Sequence, residues 1–181
     1  RQTERLNKLV EELDVLTLNA QPRIESDGEA EIVFLDQLLI EVMSEFQLLI
    51  EQEERDIYIQ VSPESAKIKS HYDKLSRILV NLLNNAFKYS DPGTKIEVVA
   101  QLTEQILTIS VKDEGQGIAP EVLDKIFKRL YRVETSRNMK TGGHGLGLAI
   151  ARELAHQLGG EITVESQCGL GSTFTFTLNL T

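Results

Sequence analysis

Two asparagines and a lysine in the middle of the sequence have a spacing that could bind a phosphorylated ligand. Asn81, Asn85 and Lys88 are separated by four and three residues, so in a helix their side chains share one face. An amide oxygen is a hard ligand that suits Mg²⁺, and a lysine offers a point charge for phosphate. The alternative is the solvated face of an ordinary amphipathic helix, and this helix taken alone leaves both interpretations open.

Three glycine clusters follow this segment along the chain. Asp113 directly precedes the first cluster, which contains Gly115 and Gly117, and could accept a hydrogen bond from an exocyclic amine such as that of adenine. It could equally be an aspartate that begins a turn. The second cluster, Gly142–Gly147, opens a predicted helix, where free N–H groups can hold an anion. The third cluster, which includes Gly169 and Gly171, is at least as well explained as a simple turn.

The second cluster matches neither of two common nucleotide-binding fingerprints. It lacks the Gly-Lys-Ser/Thr of a P-loop. It also lies late in the chain, without the preceding βαβ unit of a dinucleotide-binding fold. A cationic segment lies beside it. Between residues 125 and 140 the only acid is Glu134, against six basic residues: Lys125, Lys128, Arg129, Arg132, Arg137 and Lys140.

Hydrophobic periodicity and turn residues predict the elements that must position these groups. Most strands are joined as hairpins, which indicates a mixed, mostly antiparallel sheet with helices on one face, an α/β two-layer sandwich. The predicted helices span residues 36–52, with Asp36 as N-cap, 73–89 and 146–158. The predicted strands span residues 57–61, 66–69, 95–102, 105–112, 161–166 and 173–179, and residues 113–145 are predicted to be rich in loops.

The first 21 residues predict a separate helix with a narrow apolar stripe. Leu6, Val10, Leu13 and Leu16 follow a coiled-coil-like spacing, and Pro22 ends the helix. We expect this stripe to pack on a partner helix, although it could instead lie on its own domain. The chain begins without Met, so we expect it to be a piece of a longer protein.

Composition and charge exclude several classes of protein. The 181 residues carry a net charge of −9, which argues against a nucleic-acid-binding protein. The charge is uneven, because residues 1–65 hold 16 acidic and 5 basic residues, and the remainder holds 12 and 14. No apolar run approaches the roughly 20 residues that a membrane span requires, so we expect no membrane contact. A single cysteine excludes an internal disulfide framework.

Taken together and in order, these motifs resemble the ATP-binding catalytic domain of sensor histidine kinases. That domain belongs to the GHKL superfamily (gyrase, Hsp90, histidine kinase, MutL), which has the Bergerat fold. Residues 81–89 are similar to its N box, residues 113–118 to its first glycine box and residues 126–132 to its F box. Residues 143–150 are similar to its second glycine box and residues 169–174 to its third. The resemblance covers roughly residues 30 to 181.

The resemblance implies an ATP site with assigned roles. Asn85 would coordinate Mg²⁺, Asp113 would hold the adenine amine, and Tyr89 would pack by the base or ribose. Asn81, Lys88 and Arg129 would contact the phosphates and serve catalysis, and residues 119–142 would form a mobile lid. The further residues expected to bind ATP are Gly115, Gly117, Ile118, Phe127, Gly143, His144, Gly145, Leu146, Gly147, Leu148 and Thr173.

The resemblance also implies partners and a domain plan. Residues 1–22 would end a dimerisation and histidine-phosphotransfer domain, 23–30 would be a linker, and 31–181 would be the catalytic domain. The kinase would act as a cytoplasmic homodimer, whether or not its parent protein is anchored to a membrane. It would transfer the γ-phosphoryl group of Mg-ATP to a histidine on the absent dimerisation domain, for relay to an aspartate of a response regulator.

Two other functions compete with a histidine kinase. A gyrase-like or MutL-like ATPase would use a glutamate base where this chain has Asn81, and without a carboxylate the activation of water is poorly supported. A module that binds a nucleotide or a partner without catalysis is the third possibility. Its support is Leu130, which replaces the usual second aromatic residue of the F box, and His144, which replaces a smaller residue beside the phosphates.

Overall fold

A computed structural model describes residues 29–131 and 145–180 of the chain. The predicted N-terminal helix, most of the predicted linker and part of the predicted lid therefore lie outside the described residues, as do Gly143 and His144. The first regular element of the described part begins at Glu31.

The described strands form one large sheet and one small one. They are β1 Glu31–Phe34, β2 Asp56–Ser62, β3 Lys67–Ser70, β4 Lys95–Leu102, β5 Ile106–Asp113, β6 Gly160–Gln167 and β7 Gly171–Asn179. The five-stranded sheet has the order β2-β4-β5-β7-β6, in which only β2 and β4 run parallel. A two-stranded antiparallel sheet pairs β1 with β3. The prediction of a mixed, mostly antiparallel sheet is confirmed.

The α-helices of the described residues cover one face of the large sheet. They are α1 Leu35–Ser44, α2 Gln47–Gln52, α3 Tyr72–Tyr89 and α4 Gly147–Gln157, and a short 3₁₀ helix spans Pro120–Lys125. The apolar stripe of α3 is buried, as Ile78 and Leu82 illustrate, and it belongs to one core cluster with strand residues such as Val98 and Phe176, which are also 0% exposed. The opposite face of the sheet consists mainly of threonines and charged residues, which explains why helices cover one face only.

Two local predictions are corrected by the structure. The helix predicted over residues 36–52 is two helices, because the chain turns at Glu45 and Phe46 and buries the Phe46 ring against Phe87 at a centroid distance of 5.0 Å. Asp36 does not cap the first helix, which begins at buried Leu35. Asp36 instead lies in the first turn, where a carboxylate complements the helix dipole.

Two short elements were not predicted. Strand β1 has only four residues and buries only Val33, so its alternation is too brief to register as a pattern. The 3₁₀ helix falls within the stretch predicted to be loop-rich, and proline occupies its first turn. The 3₁₀ helix ends directly before the predicted F box.

Candidate functional site

The polar face of α3 lies beside the start of α4. Asn81 and Asn85 are partly exposed on a helix whose other side is in the core. The Asn81 side chain donates from Nδ2 to the Arg77 carbonyl at 2.8 Å. A Cβ placed on Gly147 would lie 2.9 Å from Asn81 Oδ1, so the first residue of α4 and this asparagine are in contact. The structure thus brings the predicted N box and second glycine box together.

Asp113 ends β5 as a buried carboxylate, 3% exposed. Its Oδ1 accepts a hydrogen bond from the Gly115 N–H at 2.9 Å. Burial raises the pKa of Asp113 above its ordinary value, while the N–H groups of Gly115 and Ser172 and the charge of Arg55 oppose that rise. A buried carboxylate at a strand end, supported by backbone donors, is a fixed acceptor rather than a solvated turn residue.

The first glycine loop is bonded directly to the end of α3. The Gln116 N–H donates to the Tyr89 carbonyl at 3.0 Å. A Cβ on Gly115 would lie 2.1 Å from the same carbonyl oxygen, so only glycine permits this approach. The loop that follows Asp113 and the helix that carries the asparagines are therefore held at a fixed separation.

The turn between β6 and β7 supports the same loop from the other side. The Gly169 N–H donates to the Gln116 carbonyl at 2.8 Å, and Ser166 Oγ accepts from the Ile118 N–H at 2.8 Å. Gly117 has a φ of +69°, and a Cβ there would lie 2.0 Å from the Gln167 carbonyl oxygen. The third glycine cluster therefore supports the loop that carries Asp113.

The register of β5 with β7 separates Thr173 from Asp113. Ser172 is the residue paired with Asp113, whereas Thr173 pairs with Lys112. Because side chains alternate along a strand, Thr173 lies on the outward face of the sheet, and buried Ser172 shares the face of Asp113. An open cavity of about 300 Å³ lies at this end of β5 and β7, and its lining includes Asp113 and Ser172 as well as Lys112 and Thr173. Ser172 is thus a residue of the site that the sequence pattern missed.

Gly145 to Leu148 form the entry to α4. Leu146 is buried and Leu148 is partly buried against the core, so the glycines between and before them carry the accessible backbone. Gly145 has a φ of +71°, and its carbonyl accepts a hydrogen bond from the Leu130 N–H at 3.0 Å. This bond joins the two ends of the segment that lies outside the described residues.

The described part of the predicted F box, residues 126–131, contains both buried and exposed side chains. Phe127 is 7% exposed and packs edge-on against Phe174 at a centroid distance of 6.4 Å, beneath the guanidinium of Arg152. Arg129 is exposed, and Leu130 is 71% exposed with a φ of +61°. Phe127 therefore anchors the segment in the core, while Arg129 is available to a ligand.

Lys88 and Tyr89 lie at the end of the polar face of α3. The Lys88 ammonium is 5.0 Å from the centroid of the Tyr89 ring, and both side chains are partly exposed. A cation and an aromatic ring next to one another can interact with phosphate and with a base or sugar, respectively.

A buried arginine supports this end of α3, and sequence reasoning missed it. Arg55 bonds to Phe87 and Ser90 from the turn that precedes β2. The available signal was a single basic residue in the acidic stretch 51–56. This signal is weak because the partners of Arg55 at the end of α3 lie more than 30 residues away in sequence.

Within the described residues, no set of three or more histidine, cysteine or acidic side chains could hold a metal ion. No described helix has both the length and the apolarity needed to cross a membrane.

Comparison with known proteins identifies the fold and the family. The sequence model of the histidine kinase-, DNA gyrase B- and HSP90-like ATPases matches residues 70–181, which contain all five motifs. This chain belongs to that ATPase family. Within the family, it is similar to the histidine protein kinase SaeS of Staphylococcus epidermidis, with 43% identity over 150 residues that cover 82% of this chain and 43% of SaeS.

Solved structures place this member of the ATPase family among the histidine kinases. The Acinetobacter baumannii histidine kinase AdeS superimposes with a TM-score of 0.78 at 26% identity and covers 99% of this chain and 80% of its own. Histidine kinase ThkA, in complex with response regulator protein TrrA, shares the fold with a TM-score of 0.78 at 23% identity, over 99% of this chain and 49% of its own. The chain is therefore a histidine kinase ATP-binding domain. It spans less than half the length of SaeS from S. epidermidis.

Proposed function

We propose that this domain binds Mg-ATP with the adenine at Asp113 and the phosphates between α3 and the start of α4. The observation that carries this proposal is the Asp113 loop. A carboxylate that is 3% exposed lies in a glycine loop bonded to the last residue of the asparagine helix. Because the carboxylate is buried, a ligand that displaces its water must supply a hydrogen-bond donor. Ligands without such a donor therefore bind less tightly.

The base end of the site supports recognition of adenine. Asp113 accepts a hydrogen bond from the exocyclic amine, since a carboxylate is an acceptor only. Gly115, Gly117 and Ile118 shape the pocket, and the Tyr89 ring packs near the base or ribose. Ser172 rather than Thr173 lies beside the carboxylate, so we assign the contribution of the third glycine box to Ser172.

The phosphate end combines cations with free backbone groups. Lys88 and Arg129 supply charge, and the N–H groups of Gly145 to Leu148 approach the phosphates at the start of α4. Asn81 lines the same space, next to Gly147. Gly143 and His144 are predicted to continue this surface, and they lie outside the described residues.

Asn85 is the residue proposed to hold Mg²⁺. Its partly exposed amide is a hard oxygen ligand on the polar face of α3, and Mg²⁺ usually completes its shell with water and phosphate oxygens. When bound, the ion neutralises charge on the phosphates.

The reaction that best fits is transfer of the γ-phosphoryl group to a histidine. A phosphorus–nitrogen bond forms to an imidazole nitrogen on a dimerisation domain, and the bond to the β–γ bridging oxygen breaks to release ADP. Hydrolysis is less well supported, because Asn81 cannot act as a base and its amide already donates to the Arg77 carbonyl.

The partners are proposed by analogy with the relatives. The first would be the dimerisation and phosphotransfer domain of the same cytoplasmic, homodimeric kinase. The second would be a response regulator, as ThkA is seen with TrrA. The dimerisation domain would belong to the same parent kinase as this domain, and the response regulator would bind to that kinase.

A transfer assay tests the proposed reaction. The chain would be mixed with γ-labelled ATP, Mg²⁺ and a separately prepared dimerisation domain from the parent kinase. We expect an acid-labile label on that domain, and none when its histidine is replaced by glutamine. If the chain binds ATP but no label appears on the dimerisation domain, the kinase proposal is contradicted and a nucleotide-binding module remains as the explanation. Release of phosphate at the same rate without the dimerisation domain would favour an ATPase.

A further inference from the structure

Arg55 is a buried cation that belongs to none of the motifs. Its side chain is only 1% exposed, yet it carries a full charge. Buried charges are expensive unless they are paired and hydrogen-bonded, so this side chain has a specific set of partners.

The guanidinium of Arg55 has five N–H groups, and the structure gives it five hydrogen bonds. Nε donates to Glu53 at 2.8 Å. Nη1 donates to the hydroxyls of Ser90 at 2.6 Å and Thr94 at 2.8 Å, and Nη2 donates to the carbonyls of Phe87 at 3.1 Å and Ser90 at 2.9 Å. The planar fork is thus saturated, and lysine could not reproduce it.

These bonds fix the C-terminal end of α3. Phe87 and Ser90 are at the end of the helix, where carbonyls lack intrahelical partners and a positive charge complements the dipole. The guanidinium carbon also lies 5.5 Å from the centroid of the Phe87 ring. The hydrogen bond to Thr94 also fixes the turn that leads into β4.

The opposite side of this end of α3 faces the first glycine loop, which follows Asp113. Tyr89 lies between the two residues whose carbonyls Arg55 holds, and its own carbonyl accepts the Gln116 N–H and touches Gly115. Gly115 in turn donates to Asp113. A continuous series of contacts therefore runs from the guanidinium to the carboxylate.

We infer that Arg55 is a positioning residue for base recognition, which holds the end of α3 so that the glycine loop presents Asp113 to the ligand. This inference rests on the proposed function. Among the described residues, Arg55 makes no hydrogen bond to a side chain or N–H group placed at the phosphate end, so its loss is expected to weaken binding of adenosine and of ATP by a similar factor.

The test uses the full chain and two matched variants of basic residues. Arg55→Lys keeps the charge and loses the fork. Lys95→Met is the control, because Lys95 lies at the start of β4 and pairs with Glu97 on the outward face. Amide hydrogen exchange without nucleotide reports the Gln116 N–H, with the Thr103 N–H of the distant hairpin as internal reference.

For Arg55→Lys we expect faster exchange at Gln116 relative to Thr103. We also expect ATP and adenosine affinities to fall alike by about tenfold, the size of effect that supporting residues of a site usually have. Lys95→Met should change neither. Arg55→Met should in addition move the acid limb of ATP binding to higher pH, because Arg55 is the side-chain charge that helps Asp113 stay ionised.

Wild-type affinity and unchanged Gln116 exchange in Arg55→Lys would overturn the inference while the proposed function stands. Absence of ATP binding by the wild type would overturn both. If Arg55→Lys does not fold, Thr94→Val decides. It removes a single acceptor, and we expect a smaller loss in the same direction, whereas wild-type values in Thr94→Val would contradict the inference.

Discussion

The two ends of the proposed nucleotide site are built differently. At the base end, backbone N–H groups tie Asp113 and its glycine loop to α3, to β6 and to the β6–β7 turn through hydrogen bonds of 2.8 to 3.0 Å, one of which ends on the Ser166 hydroxyl. At the phosphate end, the described residues offer exposed or partly exposed cations and the start of α4. The base end is therefore a buried, hydrogen-bonded acceptor that selects the ligand. The phosphate end is open and attracts the ligand by charge.

This difference separates two sources of affinity. A preorganised buried acceptor contributes specificity, since a ligand without the matching donor leaves it unpaired. Exposed cations contribute attraction that salt weakens and that depends little on geometry. Changes at the base end should therefore affect adenosine and ATP alike, while changes at the phosphate end should affect only ATP.

Among substitutions that leave the Asp113 carboxylate in place, the largest expected effect comes from a methyl group at the base end. Gly115→Ala places a Cβ 2.1 Å from the Tyr89 carbonyl oxygen, so the loop must move. We expect ATP and adenosine affinities to fall by about 100-fold, as displacement of a positioned group by roughly 1 Å can cause. Calorimetric titration measures both affinities.

Gly159→Ala is the matched control for Gly115→Ala. Gly159 has a φ of +80°, and no atom lies within 4 Å of the point where an alanine Cβ would stand, so the strain there is conformational only. We expect a loss of about 1 kcal/mol in unfolding free energy and unchanged affinity. Equal loss of affinity in both variants would show that the Gly115 contact has no special role.

A smaller effect is expected from a cation at the phosphate end. Lys88→Met should weaken ATP about tenfold at low salt, leave adenosine unchanged and reduce the salt dependence of ATP binding. Lys112→Met, which removes an exposed cation from the outward face of the sheet, is the control. Loss of adenosine affinity in Lys88→Met would remove the distinction between the two ends.

The pH dependence of binding should follow the base end. Asp113 accepts the amine only when ionised, and burial raises its pKa above the ordinary value. Affinity for adenosine should therefore be full above that raised pKa and be lost as the pH falls through it. The loss should begin at a higher pH than an exposed aspartate would give. A profile that stays flat down to the ordinary pKa of an aspartate would contradict a buried acceptor at Asp113.

The smallest effect is expected far from both ends. Tyr72 donates a hydrogen bond to Glu41 and links α3 to α1, and burial together with that carboxylate raises the pKa of Tyr72 to about 12. Tyr72→Phe should lower the unfolding free energy by about 1 kcal/mol without changing either affinity. Thermal unfolding and titration of the same sample measure both quantities.

Local patterns in the sequence predicted most of the fold and the motif residues. Alternation along β4, β5 and β7 and the apolar stripe of α3 were strong because each covers eight or more residues. The turn at Phe46 was missed because the apolar spacing continues through it, and only the stacking on Phe87 reveals the break.

The parts of the site that the sequence did not reveal depend on tertiary register. Ser172 rather than Thr173 adjoins Asp113 because of the pairing between β5 and β7, which hydrophobic alternation does not specify to one residue at a strand end. Arg55 was missed because two of its acceptors are main-chain carbonyls, which every residue possesses.

Calorimetric titration of the full chain and of Asp113→Asn with Mg-ATP tests the proposed site most directly. Asp56→Asn, on the exposed edge strand β2, is the control for loss of an acid. We predict saturable binding of one ATP per wild-type chain, the same for Asp56→Asn, and an affinity lower by about 100-fold or more for Asp113→Asn. Equal binding by Asp113→Asn and the wild type, or no binding by the wild type, would contradict an adenine site at Asp113.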